Sequence, residues 1–160
     1  MSSVIKSVVR KHISGTSKKA PVIELTVFVC NLTKIVQKEL SFPTNRVYLT
    51  TRSLKHLYDK RTAEEFDYIT ENLPSLVKFP ARIYKNKDGK TGGFCFYKED
   101  LGEIYFCIIE SNSDTNPIDG EIGMNYVVSA YRLSEKETKR ENYLAGYELL
   151  WSWKDDTPSS

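Results

Sequence analysis

The chain reads as an α+β protein, with helices first and an antiparallel sheet after them. Three features predict this. Helical spacing of apolar residues dominates as far as Lys78, and beyond Phe79-Pro80 the period becomes strand-like. Between the later runs stand tight-turn signals, Asp88-Gly89 and Asp100-Leu101-Gly102, short enough to make neighbouring strands antiparallel. Runs of helices followed by runs of strands define the α+β arrangement.

Taken in order, Val4, Ile5, Val8, Val9 and Ile13 form a helical stripe that ends at Gly15. The stretch "SGTSKKA" then reads as a flexible connector. In "PVIELTVFVCNLTKIVQKEL" the β-branched front half predicts a short strand, and Leu32 to Leu40 a helix. "RVYLT" is a strand, with Thr50 or Thr51 placed to cap a helix that buries Leu54, Leu57 and Tyr58. Thr62-Ala63-Glu64-Glu65 matches a capping box, in which hydroxyl and carboxylate satisfy each other's backbone donors. A second helix therefore begins at Thr62 and buries Phe66, Ile69 and Leu73.

Four strands follow in "ARIYKN", "GGFCFYKE", "EIYFCIIE" and "MNYVVSAYRL", rich in aromatic and β-branched residues. Together they predict a four-stranded antiparallel meander. Ser134-Glu135-Lys136-Glu137 is another capping box and opens a charged helix. The tail "YLAGYELLWSWK" is apolar enough to pack back on the body. The expected organisation is a helical extension over residues 1–45, a core over 46–136, and a C-terminal helix and tail over 137–160.

Length and composition fit one soluble domain, since 160 residues bury a core without staples. A net charge of +2 is too weak to predict nucleic-acid binding, so any basic patch must come from local arrangement. Cys30, Cys95 and Cys107 show no metal-ligand spacing, and an odd, frameless count suggests a reducing compartment. No signal peptide and no membrane-span length is present, so a cytoplasmic protein, or one delivered into a target cell's cytoplasm, is expected. No glycine-rich loop resembles a phosphate cradle, which argues against a nucleotide cofactor. His12 and His56 lie far apart without a carboxylate cluster, which argues against a metal.

The informative stretch is "LKHLYDKR". His56 lies on the polar side of its helix with Arg52 and Lys60 one turn away on either side. Such cations lower an imidazole's pKa and keep it neutral near pH 7, the form a general base needs. They would also attract a phosphodiester. The competing reading is a solvated cationic face. Helical spacing carries Arg61 onto the apolar face, so it needs a carbonyl, a carboxylate such as Glu110, or a cleft. On the sheet, Lys98 shares a face with Phe94 and Phe96, while Ser129 and Tyr131 share one face and Arg132 takes the other.

At "VYLTTRSLKHLYDKR…LVKFPARIYKNK…GGFCFYKE…IYFCIIE…VVSAYRLSEK" the sequence resembles the phage-associated branch of the barnase, EndoU, colicin nuclease and RelE superfamily, the BECR fold. The resemblance covers roughly Arg46 to Lys136. It implies a metal-independent ribonuclease with no cofactor, a toxin or mobile-element effector whose partners are RNA and a cognate antitoxin or immunity protein. Carried over by position, His56 is the acid or base, Arg61 the cation at the helix corner, and Lys98, Ser129 and Tyr131 the sheet's contribution. Arg52, Lys60, Arg82 and Arg132 would hold substrate. Some members carry a second histidine just after the first, where this chain has Lys60 and Arg61, so the second proton-transfer group is open. The implied reaction is attack by the RNA 2′-hydroxyl, leaving a 2′,3′-cyclic phosphate and a 5′-hydroxyl. Two rivals stand beside it: an RNA-binding domain that does not cut, and a protein-interaction module using the "YELLWSW" tail.

Overall fold

The computed structural model describes residues 3–86, 93–113, 118, 120–134, 144 and 146–153. Helix α1 spans Ser3–Val8 and runs into a π-helical turn, Val9–Ile13, closed by Ser14 N donating to Val9 O at 2.8 Å. Strand β1 is Thr26–Asn31 and α2 is Lys34–Glu39, capped by the Thr33 hydroxyl. Then come β2, Arg46–Thr50, α3, Thr51–Lys60, and α4, Ala63–Lys78. The sheet continues with β3, Arg82–Asn86, β4, Phe94–Asp100, β5, Glu103–Ser111, β6, Asn125–Arg132, and β7, Tyr147–Ser152.

The fold is α+β, but the sheet is larger than a four-stranded meander. It has seven strands in the order β1-β2-β6-β5-β4-β3-β7. Strands β2 and β6 pair in parallel and every other pair is antiparallel, so the sheet is mixed. The extra strands are β1 and β2, expected as short strands but not as members of the sheet, and β7, from the tail expected only to pack. Within residues 1–45, Val27 and Val29 point into the core while Phe28 points out, the period-two pattern that lets β1 pair with β2. In the tail, Tyr147–Ser152 pairs with β3 and closes the other edge. The Asp88-Gly89 turn and the helix expected from Glu135 lie outside the described residues.

Local chemistry explains the elements around the sheet's centre. Thr50 and Thr62 cap α3 and α4, accepting from Ser53 N and Glu65 N at 3.2 Å each. Leu54 and Leu57 of α3 and Phe66, Ile69 and Leu73 of α4 are buried. They press the helices onto one face of the sheet, against Val47, Phe96, Cys107 and Val127. A smaller cluster, Tyr84, Cys95, Tyr97, Phe106 and Leu133, lies on the opposite face. The β4–β5 turn is made by Leu101 and Gly102 at φ 52° and 79°, the two positive angles a tight hairpin requires.

Two further observations position the site. The connector after Ile13 is pinned rather than flexible. Lys55 Nζ donates to Ser17 O at 2.7 Å, Asp59 accepts from Lys19 N at 2.9 Å, and Thr51 Oγ1 donates to Ile23 O at 2.6 Å. The connector therefore lies along α3, secured by its side chains. Strands β2 and β6, moreover, are in ladder register at Val47↔Asn125 and Tyr48↔Tyr126. Buried Asn125 fastens that start by donating to Thr44 O and Arg46 O at 2.8 and 2.9 Å. Beyond it β2 turns away into α3, and among the described residues no strand lies beside the rest of that edge of β6.

Candidate functional site

The open half of β6 meets the corner between α3 and α4, and there the sequence-predicted residues partly converge. Arg61 ends α3 in an extended conformation, which takes it off the helical face that spacing assigned to it. Its Nε donates to Ala130 O at 3.0 Å and sits 3.4 Å from Glu65 Oε2. The same carboxylate oxygen accepts from Arg132 N at 3.2 Å. Arg61 and Glu65 thus serve the backbone groups that a neighbouring strand would serve. Arg61 takes both a carbonyl and a carboxylate as partners, and the carboxylate is Glu65 rather than the Glu110 offered as an example. The rest of the guanidinium reaches round the edge, with Nη2 3.5 Å from Ser129 Oγ and the group 5.6 Å from the centre of the Tyr131 ring.

His56 lies one turn and a half before Arg61 on α3, and its ring is exposed. It lines a groove of about 530 Å³ together with Lys19, Arg52, Lys55, Asp59 and, from β6, Val128. Partial burial first, then the charges of Lys60 and Arg61, draw its pKa below the ordinary 6.5, against the opposing pull of Asp59. A lowered pKa favours the uncharged ring at neutral pH. Among the described residues no hydrogen bond orients it. Arg52 and Lys60 stand exposed on the same helix.

Three predicted residues do not join this group. Lys98 donates from Nζ to Ser75 O at 3.3 Å and lies 5.8 Å from the Phe79 ring, and partial burial lowers its pKa. It is attached near the C-terminal end of the 16-residue α4, and Arg61 is attached at the other end, about 20 Å away at 1.5 Å per residue. Its partners are a carbonyl and a ring because that strand end runs under the helix terminus, which a sequence pattern does not reveal. Arg82 stacks on Tyr97 at 4.7 Å and donates to Tyr84 OH at 3.2 Å. It sits three strands from β6, about 14 Å across the sheet. Arg132 stays near the corner but turns to Glu64, 3.5 Å away, and to the Tyr105 hydroxyl.

Sequence reasoning passed over Lys55, Asp59 and Glu65. Lys55 is 5% exposed and pairs with Asp59 at 2.6 Å. Their i,i+4 spacing was visible, but nothing in the pattern marked the ammonium as buried. Glu65 read as a cap, and Thr62 does accept its N–H, yet its carboxylate works on the sheet edge.

Among the described residues no cluster of His, Cys, Asp or Glu could hold a metal ion, and no helix is long and apolar enough to cross a membrane. No family model matches this chain, and no curated protein or solved structure matches it either.

Proposed function

We infer that the chain is a metal-independent ribonuclease of the BECR type, acting at the seam between α3 and the open edge of β6. One observation carries this reading. The imidazole of His56 lines the groove that Val128 of β6 also lines, while Arg61 lies across the next residues of that strand, Ser129 and Tyr131.

RNA supplies its own nucleophile, so the protein needs a base, charge stabilisation and a proton donor. His56 removes the 2′-hydroxyl proton. Arg61, whose Nε is engaged by Ala130 O, offers its outer N–H groups with the Ser129 hydroxyl to the phosphate oxygens. Tyr131 beside that guanidinium donates a proton to the departing 5′-oxygen. Arg52 and Lys60 hold flanking phosphates. Lys98 and Arg82 have no part in this arrangement. A toxin or mobile-element role follows from the resemblance, with a cytoplasmic RNA target and a cognate antitoxin or immunity protein as partner.

A second reading, RNA binding without cleavage, is favoured by the exposed His56 ring that nothing orients among the described residues. Incubating the protein with end-labelled RNA in EDTA separates the two. Fragments ending in 2′,3′-cyclic phosphate support the nuclease, and retention of intact RNA supports the binder. If neither fragments nor retention is seen, both fail.

A further inference from the structure

On the face of the sheet away from α3 and α4, Phe28, Tyr48 and Tyr126 stand in register across β1, β2 and β6. Their ring centres are 5.9 and 6.2 Å apart in sequence along the row. Phe28 is 45% exposed, although it is a large apolar ring on an edge strand. The row ends in a built recess of about 350 Å³, within the range of small-ligand sites. Tyr48 and Tyr126 form its floor, and Gly120, Glu121 and Met124 its wall.

The wall is held in place by specific bonds. Buried Asn112 donates from Nδ2 to Gly120 O at 2.7 Å and accepts from Ile118 N at 2.8 Å. Glu121 N donates to the Tyr126 hydroxyl at 2.8 Å. Gly120 has φ +119°, and a Cβ there would lie 2.3 Å from Tyr126, so only glycine lets the backbone rest on that ring.

We propose that this row is a base-stacking platform for single-stranded RNA whose phosphates lie in the α3 groove, an inference that rests on RNA being the ligand of that groove. The carboxylate of Glu121 in the wall repels a phosphate, so the recess takes the neutral, planar part of a nucleotide. The Arg46 guanidinium, 3.4 Å from the Tyr48 hydroxyl, supplies positive charge at the rim. Both sites draw on β6, since Tyr126 lines the recess and Val128, two residues on, lines the groove. Tyr126 at the inner end of the row is 3% exposed and, like Tyr84, Tyr97 and Phe106, is closed to a base, so Phe28 and Tyr48 provide the stacking surface.

The test uses Phe28→Ala and Tyr48→Ala, with Tyr48→Phe preserving the ring. The probe is a short fluorescein-labelled single-stranded RNA carrying 2′-O-methyl groups to block cleavage. An abasic strand with the same phosphates serves as its control. Anisotropy should show each alanine variant binding the intact strand roughly tenfold more weakly, with Tyr48→Phe unchanged. All four proteins should bind the abasic strand alike. Three results would overturn the platform: alanine variants that hold the intact strand as tightly as the original chain, an equal loss on the abasic strand, or an original chain that does not retain the intact strand. Cleavage of unmodified RNA is read separately. Fragments formed with KM unchanged in the alanine variants remove the platform and leave the nuclease, whereas ring-dependent retention without fragments supports the platform and removes the nuclease.

Discussion

Arg61 and Glu65, at i,i+4 across the corner between α3 and α4, act together as a substitute for a strand. Nε of the first donates to Ala130 O at 3.0 Å, and Oε2 of the second accepts from Arg132 N at 3.2 Å. A half-open strand edge carries donors and acceptors that need partners. Here two side chains supply them, and the arginine still reaches Ser129 and Tyr131.

Removing either side chain should therefore destabilise the protein as well as the site. Arg61→Ala leaves Ala130 O without its donor and Glu65 without its counter-ion, at about 1–3 kcal/mol. Arg61→Lys keeps the charge and loses the planar fork, so it recovers only part of that. Urea melts of Arg61→Ala, Glu65→Ala and the double variant should be markedly non-additive. Additive losses would show that the two side chains do not serve the edge as a unit.

The base role of His56 has a pH signature. A general base works deprotonated, and its pKa here lies below 6.5, so the cleavage rate should rise through a value under 6.5 and level off by neutral pH. Lys60→Glu removes a cation that depresses that pKa and should move the inflection upward. His56→Ala should cost at least ~100-fold in rate. A rate independent of pH between 5 and 7, or an active His56→Ala variant, removes His56 from the chemistry.

Local signals in the sequence located the elements of the core, because caps and periodicity are local. Thr50 and Thr62 sit where hydroxyls meet free N–H groups, and the runs that became β3 to β6 carry their own alternation. Partnership between distant segments was not legible. Nothing within "TVFVCN" says that it pairs with "RVYLT" and becomes a sheet edge, nor that "YELLWS" adds to the far side. The site shows the same division. His56, Arg52 and Lys60 share a helix face by spacing alone, and Arg61 was marked as needing a partner. Placing Lys98 and Arg82 beside them required a crossing angle between α4 and the sheet, which no pattern encodes. Lys55 looked like one more surface cation because burial depends on the connector folded over it.

The three thiols should be silent in the folded protein. Burial pushes Cys30 and Cys107 up to about 12 and raises Cys95 as well. At pH 8 a thiol of that pKa is about one part in ten thousand thiolate. Iodoacetamide should leave the native chain unlabelled and modify all three cysteines in denaturant, as read by intact mass. Labelling of one cysteine under native conditions would mean that its strand opens locally.

The connector laid along α3 should be released by acid. Its attachments to Ser17 and Lys19 run through Lys55 and Asp59. The hydrogen bond from Lys55, then that from Lys19 N, draws the Asp59 carboxyl below its ordinary 3.8. A carboxyl depressed in the folded state contributes stability that is present above 3.8 and lost as pH falls through its lowered value. Between neutral pH and about 4, the chain from Ser14 to Leu25 should therefore resist proteolysis, and in stronger acid pepsin should cut it before the core. Lys55→Met removes the buried donor altogether, so the same segment should become sensitive to trypsin and to chymotrypsin at neutral pH while far-ultraviolet dichroism is unchanged. If the Lys55→Met connector is as protected as the original one, the lysine is not what holds it, and the apolar contacts of Val22 and the Thr51 hydrogen bonds suffice.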